Sequence, residues 1–134
     1  MGILIAMEEI MAKILVVDDQ PFVCDLFSKV FAKFATVITS SSLEDAQNAI
    51  CQHKFELVIS DLSLTENVGR EGFALLEYVR ATSPNTKVII MTGVGKDDTR
   101  DEALKLGAVH FLQKPFSLRH LLSEIRPFLA ESSF

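Results

Sequence analysis

Four short apolar runs recur along the chain: Ile14-Leu15-Val16-Val17, Leu57-Val58-Ile59-Ser60, Val88-Ile89-Ile90-Met91 and Val109-His110-Phe111-Leu112. Such runs are too short for buried helices, and they lack the alternation of a strand with one wet face. They predict parallel strands covered by helices on both sides. Each run ends in a polar signal, namely Asp18-Asp19, Asp61, Thr92 and Lys114-Pro115. In open sheets of this kind ligands bind beyond the carboxyl ends of the strands. One sheet edge is therefore expected to gather three carboxylates, one alcohol and one amine.

Between the runs the spacing turns helical. Pro21 opens a helix at the position where its missing N–H costs nothing, and Phe22, Val23, Leu26, Phe27, Val30 and Phe31 continue it to about Lys33. Ala35–Thr39 reads as a second strand, and Ser41-Ser42-Leu43-Glu44 fits a capping box before a helix through Ala46, Ala49 and Ile50. Phe55–Asp61 is the third strand. A polar loop, Ser63–Glu71, leads to a helix from about Gly72 to Ala81. Lys87–Thr92 is strand four, Asp97 or Asp98 caps a helix closed by Gly107, and Val109–Leu112 is strand five. Ser117 caps a last helix with Leu118, Leu121, Leu122, Ile125 and Leu129 inward, interrupted at Pro127. Five βα units with right-handed crossovers give an α/β doubly wound sheet, for which 2-1-3-4-5 is one of the common strand orders and the one expected here. One domain over residues 13–130 is expected, with residues 1–12 as an N-terminal extension and 131–134 as a tail.

Composition narrows the function. A formal charge of −5 and no basic patch interleaved with aromatics argue against direct nucleic-acid binding. No run has the length of a membrane span, and the apolar start Met1–Met7 lacks a basic region and is followed by Glu8-Glu9, unlike a signal peptide. Cytoplasm is the expected compartment. Cys24 and Cys51 fall at apolar helix positions and read as buried free thiols. His53, His110 and His120 are scattered without zinc spacing.

In the 2-1-3 order, Asp18, Asp19 and Asp61 converge. Clustered carboxylates raise one another's pKa and call for a counter-charge. A hard divalent cation such as Mg²⁺, held by carboxylates and water, meets that need. Taken alone, Asp18-Asp19 reads equally well as a helix cap, Thr92 as a strand-end cap and Lys114 as a solvated lysine. Together they suit Asp61 as a nucleophile toward phosphorus, with Lys114 and Thr92 meeting the phosphoryl oxygens.

The segments KILVVDDQP, ELVISDLSL, EGFALLEYVR, KVIIMTG and GAVHFLQKPF, spanning about Ala12 to Leu129, resemble the receiver domain of a two-component response regulator of the chemotaxis-regulator type. The resemblance implies a flavodoxin-like (βα)5 fold and a phosphoryl group accepted on Asp61 from a histidine kinase or histidine phosphotransfer protein. It implies Mg²⁺ held by Asp19, Asp61 and the main-chain carbonyl of Ser63, with Asp18 acting partly through water. It also implies a cis Lys114-Pro115 bond and a switch in which Thr92 moves toward the phosphoryl group and Phe111 rotates inward. The surface of the fourth helix, fifth strand and fifth helix then changes for a downstream protein, or for a second copy in an activation-dependent homodimer. Read without the resemblance, Phe111 is a core or half-buried strand aromatic.

Departures from the pattern are a loop after Asp61 about three residues longer than usual, Thr65 in place of proline, and Gly93 where alanine is common. Glu66 or Arg70 lies over the site mouth or in solvent, solvation being the favoured reading. Three other functions compete. An aspartyl phosphohydrolase would want an acid where Ser63 stands and a cap insertion, which is missing. A module that is never phosphorylated would not need all five site groups. A flavin-type cofactor binder would need a glycine-rich loop after strand one, where Asp18-Asp19-Gln20 stands.

Overall fold

The computed structural model describes residues 12–64, 69–93 and 97–129. Expectations for the extension before Ala12, for Thr65 and Glu66 and for the tail 131–134 concern positions outside the described residues. Five strands, β1 (Ala12–Val17), β2 (Ala35–Ser40), β3 (Leu57–Asp61), β4 (Lys87–Thr92) and β5 (His110–Gln113), alternate with five helices. These are α1 (Pro21–Phe31), α2 (Leu43–Gln52), α3 (Glu71–Thr82), α4 (Asp97–Lys105) and α5 (Leu118–Ile125). A short 3-10 turn, Arg126–Phe128, follows α5 and carries Pro127, as the early end of that helix required.

The strands are parallel in the order β2-β1-β3-β4-β5. Alternate side chains face opposite layers. Leu15, Val17, Val58, Val88 and Ile90 pack with Ala46 and Ile50 of α2, with Phe73, Leu75, Leu76 and Val79 of α3, and with Ala103 of α4. Ile14, Val16, Leu57, Ile59, Ile89 and Met91 pack with Val23, Phe27 and Phe31 of α1 and Leu121 and Ile125 of α5. All four residues Ile14–Val17 are wholly buried, and each such side chain is worth about 1.5–3 kcal/mol. A one-residue slip of β1 would draw Asp18 between the layers without its partners, at a cost of several kcal/mol. Register is thus set by the apolar run and its charged end together.

The observed elements differ from the expected ones in informative places. The α2 cap is Ser42, whose side chain accepts from the Asp45 N–H at 3.1 Å, one residue beyond the expected box. Ser42-x-x-Asp45 offers the same chemistry as Ser41-x-x-Glu44, and Leu43 then falls inside the helix. β5 is an edge strand in which only Leu112 is buried, not a strand covered on both faces. Cys51 is exposed on the last turn of α2, and Cys24 is only half-buried. Cys51 faces outward beside α3, with its Sγ 3.1 Å from Tyr78 Oη. Phe22 and Leu118, both expected inward, are exposed. Each lies in the first turn of its helix, before the helix comes over the sheet.

Candidate functional site

The last rungs of the sheet ladder position the site. Val17 of β1 is level with Ser60 of β3, so Asp18 stands beside Asp61. Main-chain bonds continue one residue past the strands: Asp18 N–H donates to Ser40 O at 3.0 Å, Leu62 N–H to Met91 O at 2.8 Å, and Lys114 N–H to Thr92 O at 2.8 Å. Each site loop is therefore pinned where it leaves the sheet. The Lys114-Pro115 peptide is cis, as the sequence pattern implied.

Lys114 bridges the acids. Its Nζ donates to Asp18 Oδ2 at 2.7 Å and to Asp61 Oδ2 at 3.1 Å. The Asp18 side chain is wholly buried, and its other oxygen, Oδ1, accepts the Gln20 N–H at 2.9 Å. Both Asp18 oxygens thus have donors within the protein, whereas Asp19 is exposed. Asp61 and Thr92 are buried at the strand ends. Burial pushes the Asp61 carboxyl above its usual range; Lys114 pulls it back, Asp18 raises it further, and a main-chain hydrogen bond from Ser63 lowers it. Burial alone would lower Lys114, but its hydrogen bond to Asp18 and the charges of Asp61 and Asp18 raise it instead.

Asp18, Asp19 and Asp61 each present a carboxylate oxygen within 4.8 Å of the others. An octahedral Mg²⁺ with bonds of about 2.1 Å separates its ligands by roughly 3–4.2 Å, so small side-chain rotations suffice. Three carboxylates against one ammonium leave two negative charges, matched by a divalent ion. The donor set fits.

Phe111 is half-buried and packs on the layer of α2, α3 and α4. Arg70 lies in solvent, as favoured, but it is not idle: its guanidinium pairs with Glu102 of α4. Three contributors were not singled out in the sequence. Gln20 acts through its main-chain N–H and leaves no side-chain signal. Glu102 looks like any helix-surface acid. Gly72 reads in sequence only as a helix start, yet a methyl group there would lie 2.6 Å from both the Asp61 carbonyl oxygen and Leu62 Cα. Only glycine lets α3 begin that close to the end of β3.

Residues 14–126 match the family model of the response regulator receiver domain. The chain belongs to that family. Among its relatives, the receiver domain is 31% identical over 81% of its length to response regulator protein PilR of Pseudomonas aeruginosa, spanning 24% of that protein. It is 30% identical to sporulation initiation phosphotransferase F of Bacillus subtilis, with 87% of this chain and 93% of that one aligned. The structure of the beryllofluoride-activated NtrC4 receiver domain dimer superposes with a TM-score of 0.81 at 29% identity, covering 91% of this chain and 99% of the other. The receiver domain thus spans nearly all of one relative and about a quarter of another. Among the described residues no helix is long and apolar enough to cross a membrane.

Proposed function

We propose that this receiver domain takes a phosphoryl group onto Asp61 from the phosphohistidine of a histidine kinase or histidine phosphotransfer protein and relays the change to a further protein. The supporting observation is the single ammonium of Lys114 shared by Asp18 and Asp61 at the strand ends. An Asp61 oxygen attacks phosphorus; the O–P bond forms, the N–P bond breaks, and the electron pair leaves with the imidazole, which takes a proton from solvent. Lys114 and the Thr92 hydroxyl receive the phosphoryl oxygens. Asp19, Asp61 and the Ser63 carbonyl would hold Mg²⁺, with Asp18 one water removed because its oxygens already have donors. Mg²⁺, when bound, supplies positive charge against the oxygens of the transferring group.

The domain acts on itself and not on a separate substrate, with slow hydrolysis of its own aspartyl phosphate as the return step. Thr92 and Phe111 carry the signal to the face formed by α4, β5 and α5. There it meets a downstream protein or a second copy, as the dimeric form of the NtrC4 receiver suggests. A cytoplasmic setting suits a phosphohistidine donor. Incubation with acetyl phosphate and Mg²⁺ should add one phosphoryl mass to the intact protein. Asp61→Asn or EDTA should abolish the gain; an equal gain in Asp61→Asn removes Asp61 from this role.

A further inference from the structure

Helix α4 is lightly seated. Among its described residues only Ala103 is buried, with Leu106 packed just beyond its end. Helix α3, its neighbour on the same layer, buries Gly72, Phe73, Leu75, Leu76 and Val79. Elements with so little buried apolar surface open at the low end of a protein's free-energy range. A weak contact then carries a large share of what holds them.

One such contact spans the two helices. Arg70 opens α3, its carbonyl accepting from the Phe73 and Ala74 N–H groups at 3.1 and 3.3 Å. Its guanidinium lies 4.9 Å from the centre of the Phe73 ring and pairs with the carboxylate of Glu102, at 2.8 Å from Nη2 to Oε1. The Phe73 ring limits the directions Arg70 can take, so less side-chain freedom is lost in forming the pair. The base of Arg70 is in turn fixed to the phosphoacceptor strand. Gly72 N–H donates to Leu62 O at 2.8 Å, and Glu71 Oε1 accepts the Leu64 N–H at 3.4 Å. Arg70 thus stands on the loop after Asp61 and reaches the helix after Thr92.

We propose that the Arg70–Glu102 pair is a latch that opposes displacement of α4 from α3 and thereby sets how readily the site reaches its reactive arrangement. The regulatory half rests on the phosphoacceptor reading; the mechanical half does not. Both side chains are largely exposed, at 63% and 39%, so the latch is screened by salt. An exposed pair of this kind shifts an equilibrium by roughly two- to fivefold.

Glu102→Gln breaks the pair while leaving Arg70 on Phe73. At low ionic strength this variant should raise amide hydrogen exchange across residues 98–105 by roughly two- to fivefold, with α5 unchanged as internal control. High salt should bring the wild type to the same rate. The charge swap Arg70→Glu with Glu102→Arg should restore part of the slow exchange, the Phe73 contact being lost. Labelling by acetyl phosphate and Mg²⁺ should be faster in Glu102→Gln than in the wild type. Unchanged exchange overturns the latch. Faster exchange with unchanged labelling leaves a structural tie and overturns its regulatory role. Faster exchange with no labelling of the wild type supports the latch and overturns the phosphoacceptor reading.

Discussion

Asp61 is held in a costly state. Its carboxyl is raised because burial and the nearby Asp18 outweigh Lys114 and the Ser63 hydrogen bond. A raised carboxyl pKa means that the folded protein binds the proton more tightly than the unfolded chain does. The resulting stability is fully present below the usual value of 3.8 and is lost as pH rises through the raised value. In EDTA, Asp61→Asn should therefore melt a few degrees higher than the wild type at neutral pH. The gap should close as pH falls toward the ordinary carboxylate range; a lower melting temperature at neutral pH would contradict this. Gly93 directly follows Thr92 at the end of β4. Among the described residues a methyl group there meets nothing within 4 Å, so the space beside Thr92 is open to water. Gly93→Ala should leave stability within about 0.5 kcal/mol and lengthen the aspartyl-phosphate lifetime, read by loss of phosphoryl mass over time. An unchanged or shorter lifetime would count against that access.

At the scale of elements, the contact between α3 and β3 decides how well the nucleophile is placed. Gly72→Ala brings a methyl group against the Asp61 carbonyl and Leu62 Cα. The overpacking costs about 1–3 kcal/mol, against a gain of at most about 1 kcal/mol from alanine's helix preference. The variant should melt lower and label more slowly with acetyl phosphate, and thermal melts with single-turnover labelling check both. β4 was legible to the residue, because Lys87 and Thr92 bound an uninterrupted apolar run. The α2 cap was not, because two overlapping serine–acid pairs, Ser41 with Glu44 and Ser42 with Asp45, satisfy the same pattern. The exposed Phe22 and Leu118 share one cause: helical spacing reports which face a residue is on, not whether the sheet extends beneath it; Cys51 instead sits one position round from the inward Ile50. At the site, all four strand-end signals were legible. That Lys114 sits closer to Asp18 than to Asp61 was not, since a side-chain rotamer leaves no trace in residue order. The Arg70–Glu102 pair was hidden for the same reason.

For the whole molecule, Lys114 neutralises charge between two halves of the sheet, joining β5 to β1 and β3. Its raised pKa keeps that contribution through the neutral range, to be lost only as pH climbs above 10.5. Lys114→Met should destabilise the metal-free protein by about 3 kcal/mol at pH 7, because buried Asp18 is left without its cation. Millimolar Mg²⁺ should recover more stability in the variant than it adds to the wild type. Denaturant melts with and without EDTA measure both, and equal Mg²⁺ gains would show that ion and ammonium do not answer the same charge.

The hydrogen-bonded rungs just past the strand ends have a further bearing. Peptide groups, which every residue but proline offers alike, decide where the reactive side chains stand. The oily interior between them is free to be rewritten so long as it stays oily and fills the same volume. A lineage can then drift far, to the three residues in ten shared with the Bacillus subtilis relative, provided those rungs hold.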